Sequence, residues 1–501
     1  MKRGFVYLAG AGPGDPGLIT VKAMRALEGA DCVIYDFLAN QAVLGALACE
    51  KIYVGKQGGD HTLPQDRINR LIVEKALEGK VVVRLKGGDP YIFGRGGEEA
   101  EELVKHNIPF AVIPGISSFY SAPCYAGIPV THRDFANAFE VITGHRRADA
   151  AGGEDVNFPD YDPAKTYLFL MGMKNLAHIA GSLVKLKSFP PETPAAVVTW
   201  GTTAAQRTVE GTLADIAARA DEDGMTPPAI IVVGRVVSLR ATLRWFDTLP
   251  LFGKKIVVTR TREQASKLGR KLAALGAQVV ELPSIKIVPR ADRAGLRGTL
   301  ERLESYSWIV FTSQNAVDIF FREMRDSGMD ARRLHACKIA AIGPATASAL
   351  AGHGVTADLV PDEYVAEAAL EALAKENVKG ARILLPCAAE AREVLSAGLA
   401  KQGAAVDRIH IYDTVVPDDL PPETLAMAAS AGIVTFASSS AARNFFALVK
   451  DTTARLASIG PVTSETLRGL GKRVDIEAKE YTIDGLVTAI EEWCAGDGAG
   501  Q

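Results

Sequence analysis

Arg84-Leu85-Lys86-Gly87-Gly88-Asp89-Pro90-Tyr91-Ile92-Phe93-Gly94-Arg95-Gly96-Gly97-Glu98-Glu99 follows the apolar run Val81-Val82-Val83. The stretch reads as a strand that ends in a glycine-dense loop and passes into a helix at Glu98-Glu99-Ala100. Glycine is favoured where backbone turns through positive φ or touches a ligand directly. Asp89 stands between Gly88 and Pro90, at the mouth of the strand. Ligands of open α/β sheets bind at the carboxyl ends of strands. A carboxylate there can take hydrogen bonds from ribose hydroxyls or from an ammonium group. The plainer reading is a tight βα turn, but such a turn needs only a few residues.

Working outward, residues 1 to about 245 alternate β-branched runs with helical patterns. Strand candidates are Val6–Leu8, Cys32–Tyr35, Val81–Leu85, Phe110–Ile113, Leu168–Met171, Ala196–Thr199 and Ile230–Val233. Alternation of this kind predicts α/β layers. The segment Leu243 to Pro250 closes this half, and Gly253 precedes a fresh apolar run at Ile256-Val257-Val258. The second half repeats itself. Gly253-Lys-Lys-Ile-Val-Val-Thr-Arg260 matches Gly380-Ala-Arg-Ile-Leu-Leu-Pro-Cys387, and each reaches a Gly-Ala pair 23 positions after its first glycine. Val310-Phe-Thr-Ser313 parallels Thr435-Phe-Ala-Ser438, and Ala341-Ile-Gly-Pro344 parallels Ser458-Ile-Gly-Pro461. A period of 127 residues is too long for a solenoid. It predicts two similar α/β lobes enclosing a cleft, a preferred kind of ligand site.

The bulk numbers narrow the class. At ~150 residues per domain, 501 residues give about three or four domains. Net charge is −3, from 56 basic and 59 acidic residues, which leaves no electrostatic footprint for nucleic acid or a membrane surface. Six scattered cysteines without a CxxC pair fit free thiols in a reducing compartment, not a disulfide framework or a zinc site. No apolar run approaches the ~18 residues of a membrane span, and the N-terminus runs straight into a strand. The expectation is a cytoplasmic protein with small-molecule partners and neither nucleic acid nor membrane.

The first loop, Gly10-Ala11-Gly12-Pro13-Gly14-Asp15-Pro16-Gly17, fails as a dinucleotide fingerprint. Its spacing is GxGxG, and Pro13 and Pro16 lack amides that a pyrophosphate cradle would use. Together with RLKGGDP–FGRGGEE, Pro114-Gly-Ile-Ser-Ser118, Gly127-Ile-Pro-Val-Thr-His-Arg-Asp134, Met171-Gly-Met173 and Pro227-Pro-Ala-Ile-Ile-Val-Val-Gly-Arg-Val-Val237, it resembles the uroporphyrinogen-III C-methyltransferases. These are tetrapyrrole methylases of the class III S-adenosylmethionine enzymes, and the resemblance spans about residues 3 to 245. It implies a two-lobed methylase domain over 1–247. Pro13, Gly87, Gly88, Asp89, Ile92, Ser117, Ser118, Met171, Gly201 and Ala229 would line the S-adenosylmethionine pocket, with S-adenosylhomocysteine as product and no metal. Asp36 matches the family's proton acceptor and Lys56 its proton donor. Lys56, Arg95, His132, Arg133, His145 and Arg146 are basic candidates for a polycarboxylate substrate. Relatives usually carry Arg at the Phe37 position, so the resemblance implies a weaker carboxylate contact there. The resemblance also implies a homodimer through this half.

No nucleophile–base pair or metal constellation stands between 253 and 501. Hydroxyls and glycines collect at strand ends instead, where they bind anions or cap helices. This half resembles uroporphyrinogen-III synthase through GKKIVVTR, FTSQNAV, AIGPATA, Ile411-Tyr-Asp-Thr414, FASSSAARNF and Tyr481-Thr-Ile-Asp-Gly-Leu486. The implied domain is 251–501, with lobes of about 253–285 plus 415–497 and of 286–414. Arg260, Thr312, Ser313, Thr346, Ser438 and Ser439 become substrate-binding candidates. Tyr412 has two readings, helping a hydroxyl leave or packing as a hinge aromatic. The two resemblances together imply an enzyme that cyclises hydroxymethylbilane to uroporphyrinogen III and methylates it twice. The product is precorrin-2, for siroheme or cobalamin. The alternative is a methyltransferase carrying a non-catalytic tetrapyrrole-binding module.

Overall fold

A computed structural model describes residues 4–39, 41–45, 47, 49–55, 63–144, 158–259, 262–290, 294–389, 393–417, 420 and 422–497. The chain divides into two compact units, Met1–Lys255 with Leu272–Gln278, and Ile256–Lys271 with Val279–Gln501. The described residues form four five-stranded sheets.

In the first unit β1 (Phe5–Gly10), β2 (Cys32–Tyr35), β3 (Glu50–Tyr53), β4 (Val81–Lys86) and β5 (Phe110–Ile113) make a sheet in the order β3-β2-β4-β1-β5. Every pairing in it is parallel. Side chains alternate across a strand, so this sheet feeds two cores. Val6, Leu8, Ile34 and Val82 pack with Ile68 and Ile72 on one face, and Ala9, Val33, Val83 and Leu85 pack with Ala23 and Leu27 on the other. Both faces being covered is the normal condition of a parallel sheet. It also puts every strand's carboxyl end on one edge. The second sheet, β6 (Ala138–Thr143), β7 (Lys165–Leu170), β8 (Pro194–Thr199), β9 (Arg207–Thr212) and β10 (Ala229–Val233), runs in the order β6-β7-β10-β8-β9. Only β6 and β7 pair in parallel, while β10 lies antiparallel between β7 and β8.

In the second unit one sheet is β12-β11-β18-β19-β20, from β11 (Lys255–Val258), β12 (Gln278–Glu281), β18 (Ile433–Phe436), β19 (Arg455–Ser458) and β20 (Ile476–Glu477). The other is β13-β17-β16-β14-β15, from β13 (Lys286–Pro289), β14 (Trp308–Phe311), β15 (Lys338–Ala341), β16 (Arg382–Ala388) and β17 (Ala405–Val415). The first of these sheets is discontinuous in sequence: β11 takes β18 as its parallel neighbour, Ile256 opposite Ile433. Among the described residues no helix is long and apolar enough to cross a membrane.

Candidate active site

Three strands of the first sheet deliver glycines to one point. A Cβ on Gly10, at the end of β1, would stand 2.5 Å from both the Gly115 Cα and the Gly88 carbonyl oxygen. One on Gly115, past β5, would stand 2.2 Å from that same oxygen. No side chain fits there. Gly12 and Gly88, at φ +78° and +67°, exchange backbone hydrogen bonds, Gly88 N donating to Gly12 O at 2.8 Å. Asp89 closes the set. Its Oδ2 accepts from Gly115 N at 2.9 Å and its Oδ1 from Tyr91 N at 2.8 Å. The carboxylate thus serves the loop first, and its remaining lone pairs are what a ligand could use. Ser117 and Ser118 follow directly, the Ser117 Cα being 3.9 Å and the Ser118 N 4.0 Å from where a Gly88 Cβ would lie.

The second sheet closes the cradle from the other side. Asp15 ties them together: its N–H donates to Thr202 Oγ1 (3.1 Å), and its Oδ2 accepts from the Tyr125 hydroxyl (2.8 Å). Burial and that bond push the Tyr125 phenol upward, so it remains a donor. Gly201 packs on Ala122, where a Cβ would lie 2.3 Å from the alanine Cβ. Met171 sits just past β7 at φ +55°, more than half exposed, one residue beyond the pairing of Leu170 with Ile230, and Ala229 starts β10 opposite Thr199. The reading of Leu168–Met171 as strand therefore runs one residue too far, because Met171 turns off the ladder. Trp200 meets Phe37 edge-on across the gap, ring centroids 6.1 Å apart.

Asp36 directly follows β2 beside this cradle. The turn it begins lies against two glycines. A Cβ on Gly87 would come 2.4 Å from the Leu38 Cβ, and one on Gly55 would come 2.7 Å from the Phe37 N. Gly87 is therefore small to seat the Asp36 turn. Asp36 Oδ1 accepts from Leu38 N at 3.2 Å, and Oδ2 accepts from Arg84 at 3.3 Å. Arg84 belongs to a buried set with Lys86 and Glu99 that sequence reasoning missed. Its signal was there: two cations at alternate positions of an otherwise apolar central strand. Burial, and Arg84 next, hold the Lys86 ammonium below the usual lysine range.

Gly88, Asp89, Ser117 and Ser118 thus lie together at the cradle, Pro13 and Gly87 adjoin Gly12 and Gly88 in the chain, Gly201 packs on Ala122 of the helix that Ser118 begins, and Ile92 is exposed on the same loop. Other candidates stand apart. Arg95 is held bidentately by Glu98, at 2.8 and 2.7 Å. His132 accepts from Asp134 N within its own turn, and Arg133 beside it is exposed. Lys56, His145, Arg146 and Arg260 lie outside the described residues.

In the second unit the candidate hydroxyls are mostly helix starts. Ser313 accepts from Ala316 N and Ser438 from Ala441 N, both at 3.2 Å. Ser313 also shares a 3.0 Å hydrogen bond with the Tyr412 hydroxyl, and Thr312 is half-buried beside it. Ser439 donates to Val462 O and accepts from Thr466. Thr346 is buried, and its hydroxyl donates to Ile342 O at 3.3 Å within its own turn of chain. Burial pushes the Tyr412 phenol up.

A cradle of bare backbone at the carboxyl ends of parallel strands, with a fixed carboxylate at its edge, is the ligand site of an α/β enzyme class, here in one chain with a second α/β unit of two sheets. The chain matches the family model of the tetrapyrrole (corrin/porphyrin) methylases over residues 6–217 and that of uroporphyrinogen-III synthase HemD over residues 266–488. It is 37% identical to the porphyrin biosynthesis protein HemD of Ruminiclostridium josui, over 99% of each chain. It is 42% identical to a uroporphyrinogen-III C-methyltransferase of Bacillus subtilis, over 67% of this chain and 69% of the relative. With the Methanocaldococcus jannaschii protein of the same name the identity is 49%, over 47% of this chain and 98% of the other. The chain belongs to the tetrapyrrole methylases through its first half and to the uroporphyrinogen-III synthases through its second. It is a two-domain enzyme of tetrapyrrole biosynthesis, methyltransferase and synthase in one polypeptide.

Proposed function

We propose that the second half closes hydroxymethylbilane to uroporphyrinogen III and that the first half methylates this product twice, giving precorrin-2. The methyl donor is S-adenosylmethionine, which supplies an electrophilic methyl on a sulfonium when bound. Close-packed glycine backbone at Gly10, Gly88 and Gly115 fits such a nucleoside, since a side chain at Gly10 or Gly115 would meet neighbouring backbone. The Asp15 clasp to Thr202 and Tyr125 fixes the loop that carries Pro13.

Methyl transfer is an in-line displacement, so aligning the acceptor carbon is the main contribution of the chain, worth up to ~7–11 kcal/mol. Attack by an electron-rich pyrrole carbon leaves a cationic ring that must lose a proton. Asp36 is the acceptor: its carboxylate is held at both oxygens and remains partly exposed, at 27%. The observation that carries the reading is the seating of the Asp36 turn on Gly87, which makes base and cradle parts of one backbone. Exposed Phe37, Tyr91 and Phe93 give the rim an apolar surface suited to a macrocycle. In the second half Tyr412 keeps its proton and is the candidate donor to the departing hydroxyl.

The test is a product analysis. Purified protein given hydroxymethylbilane and S-adenosylmethionine should yield dimethylated material of the III series by mass and isomer analysis. Appearance of the spontaneous type I isomer alone would remove the synthase activity. Unmethylated type III product would remove the transferase activity.

A further inference from the structure

Proton acceptance by Asp36 leaves unexplained why charge is buried behind it. Val82, Arg84 and Lys86 alternate along β4 and so share a face. That face is the apolar core of Val6, Leu8, Ile34 and Ile72. Arg84 is 3% exposed, Lys86 4% and Glu99, from the helix Gly96–Lys105, 1%. Glu99 Oε1 accepts from three donors, Lys86 Nζ at 2.8 Å, Gln65 Nε2 at 3.1 Å and Arg84 Nε at 3.2 Å. Glu99 Oε2 is buried with no hydrogen-bond partner among the described residues. Arg84 then reaches onward. Its Nη1 donates to the carbonyls of Leu85 (3.0 Å) and Ile34 (3.4 Å), and its Nη2 to Asp36 Oδ2 (3.3 Å).

Stability alone does not account for this set. Taking such ions from water costs several kcal/mol each, and apolar side chains of similar volume often replace a buried ion cluster without loss. A half-satisfied carboxylate adds to that cost. What the set does provide is direction. A guanidinium is a rigid planar fork. With Nε fixed by Glu99 and Nη1 by two strand carbonyls, the plane of Arg84 is set, and Nη2 can point only towards the end of β2.

We infer that Glu99, acting through Arg84, is a positioning device for Asp36: a carboxylate–guanidinium–carboxylate chain that aims the base at the rim of the cradle. The inference rests on the reading of Asp36 as proton acceptor. Arg84 and Glu99 are positioning residues, since neither reaches the cradle itself. Lys86 holds the charge balance on Glu99 and so keeps the fork from being pulled off axis.

The experiment is a double-variant cycle in the full chain, with Arg84→Lys, Asp36→Asn, the double variant, and Glu99→Gln as a nearly isosteric second probe. Steady-state methyl transfer gives kcat and KM, and calorimetry gives S-adenosylhomocysteine affinity as the check that the first unit is folded. Misplacing a reacting group by an ångström costs on the order of 100-fold. Arg84→Lys is expected to lower kcat by roughly that factor, with KM for the methyl donor and S-adenosylhomocysteine affinity within about twofold. It should cost nothing further on the Asp36→Asn background, since the base it aims is gone. Glu99→Gln should show the same pattern, smaller. Losses that multiply in the double variant, or an unchanged kcat in both single variants, overturn the positioning role. If Arg84→Lys loses affinity for the nucleoside, Glu99→Gln decides alone. A fully active Asp36→Asn enzyme overturns the base assignment instead.

Discussion

After Phe311 in one lobe of the second unit a helix starts at Ser313; after Phe436 in the other a helix starts at Ser438. Both serines are extended, at φ −157° and −163°, and both hydroxyls cap the N–H three residues on. Behind them stand matching aromatic trios. Phe311 meets Phe320 at 5.3 Å and 78°, and Phe436 meets Phe445 at 5.4 Å and 78°. Gly343-Pro344 and Gly460-Pro461 open the next helices, each glycine lying under a tyrosine ring, Tyr364 or Tyr481. The lobes part at the hydroxyls. Ser313 is joined to Tyr412 from β17, whereas Ser438 is joined to Ser440 two residues along. Duplication has kept the scaffold that starts each helix and changed what the start presents. Among the described residues the Ser313 hydroxyl meets a phenol and the Ser438 hydroxyl meets another serine, and burial pushes that phenol up.

The largest expected effect lies in the aromatic trios. Phe320→Ala and Phe445→Ala should each destabilise the second unit by ~3–5 kcal/mol, read from urea unfolding, and the two shifts should agree. A gap between them as large as either would mean that the trios do unlike jobs. The hydroxyl difference comes next. Tyr412→Phe should lower type III product formation by about tenfold or more, in the range of a lost proton donor, while Ser440→Ala leaves the rate alone. Equal loss in both would erase the proposed asymmetry. The caps are smaller: Ser313→Ala and Ser438→Ala should each cost ~1 kcal/mol of stability, with only the first also slowing turnover. The smallest effect is one of pH. Asp407, on β17, is held below its usual range by the Tyr306 hydroxyl and then by Arg382. A depressed carboxylate stabilises above its unfolded pKa, and that contribution is lost as pH falls through the folded value. Acid titration of unfolding should therefore show an increment, below about pH 4, that Asp407→Asn abolishes.

Seven strands of the first half are legible as apolar runs, and three are not: Glu50–Tyr53, Ala138–Thr143 and Arg207–Thr212. All three lie at sheet edges. An edge strand faces water on one side and can carry charge there, so Glu50, Lys51, Glu140, Arg207 and Glu210 mask the apolar pattern, whereas the edge strand Phe110–Ile113 carries no charge and is legible. The cradle was legible because glycine is the requirement itself. Tertiary partners were not. Glu99 follows Arg84 by fifteen positions, Asp15 precedes Thr202 by 187, and nothing local marks either pair. Thr346 shows the same limit, since a hydroxyl at a helix start looks the same in sequence whether or not it bonds its own turn's carbonyl.

One feature of the second unit bears on how the polypeptide is made. Thr259 Oγ1 donates to Thr435 O across a sequence separation of 176, and β11 waits for β18 in the same way. At ribosomal speeds of roughly 5–20 residues per second, the nascent β11 spends on the order of ten seconds or more with its apolar edge exposed. The intervening lobe is already complete by then. A newly synthesised chain is thus open to wrong partners during that interval, and in vivo yield should depend on holding chaperones more than the finished protein's stability would suggest.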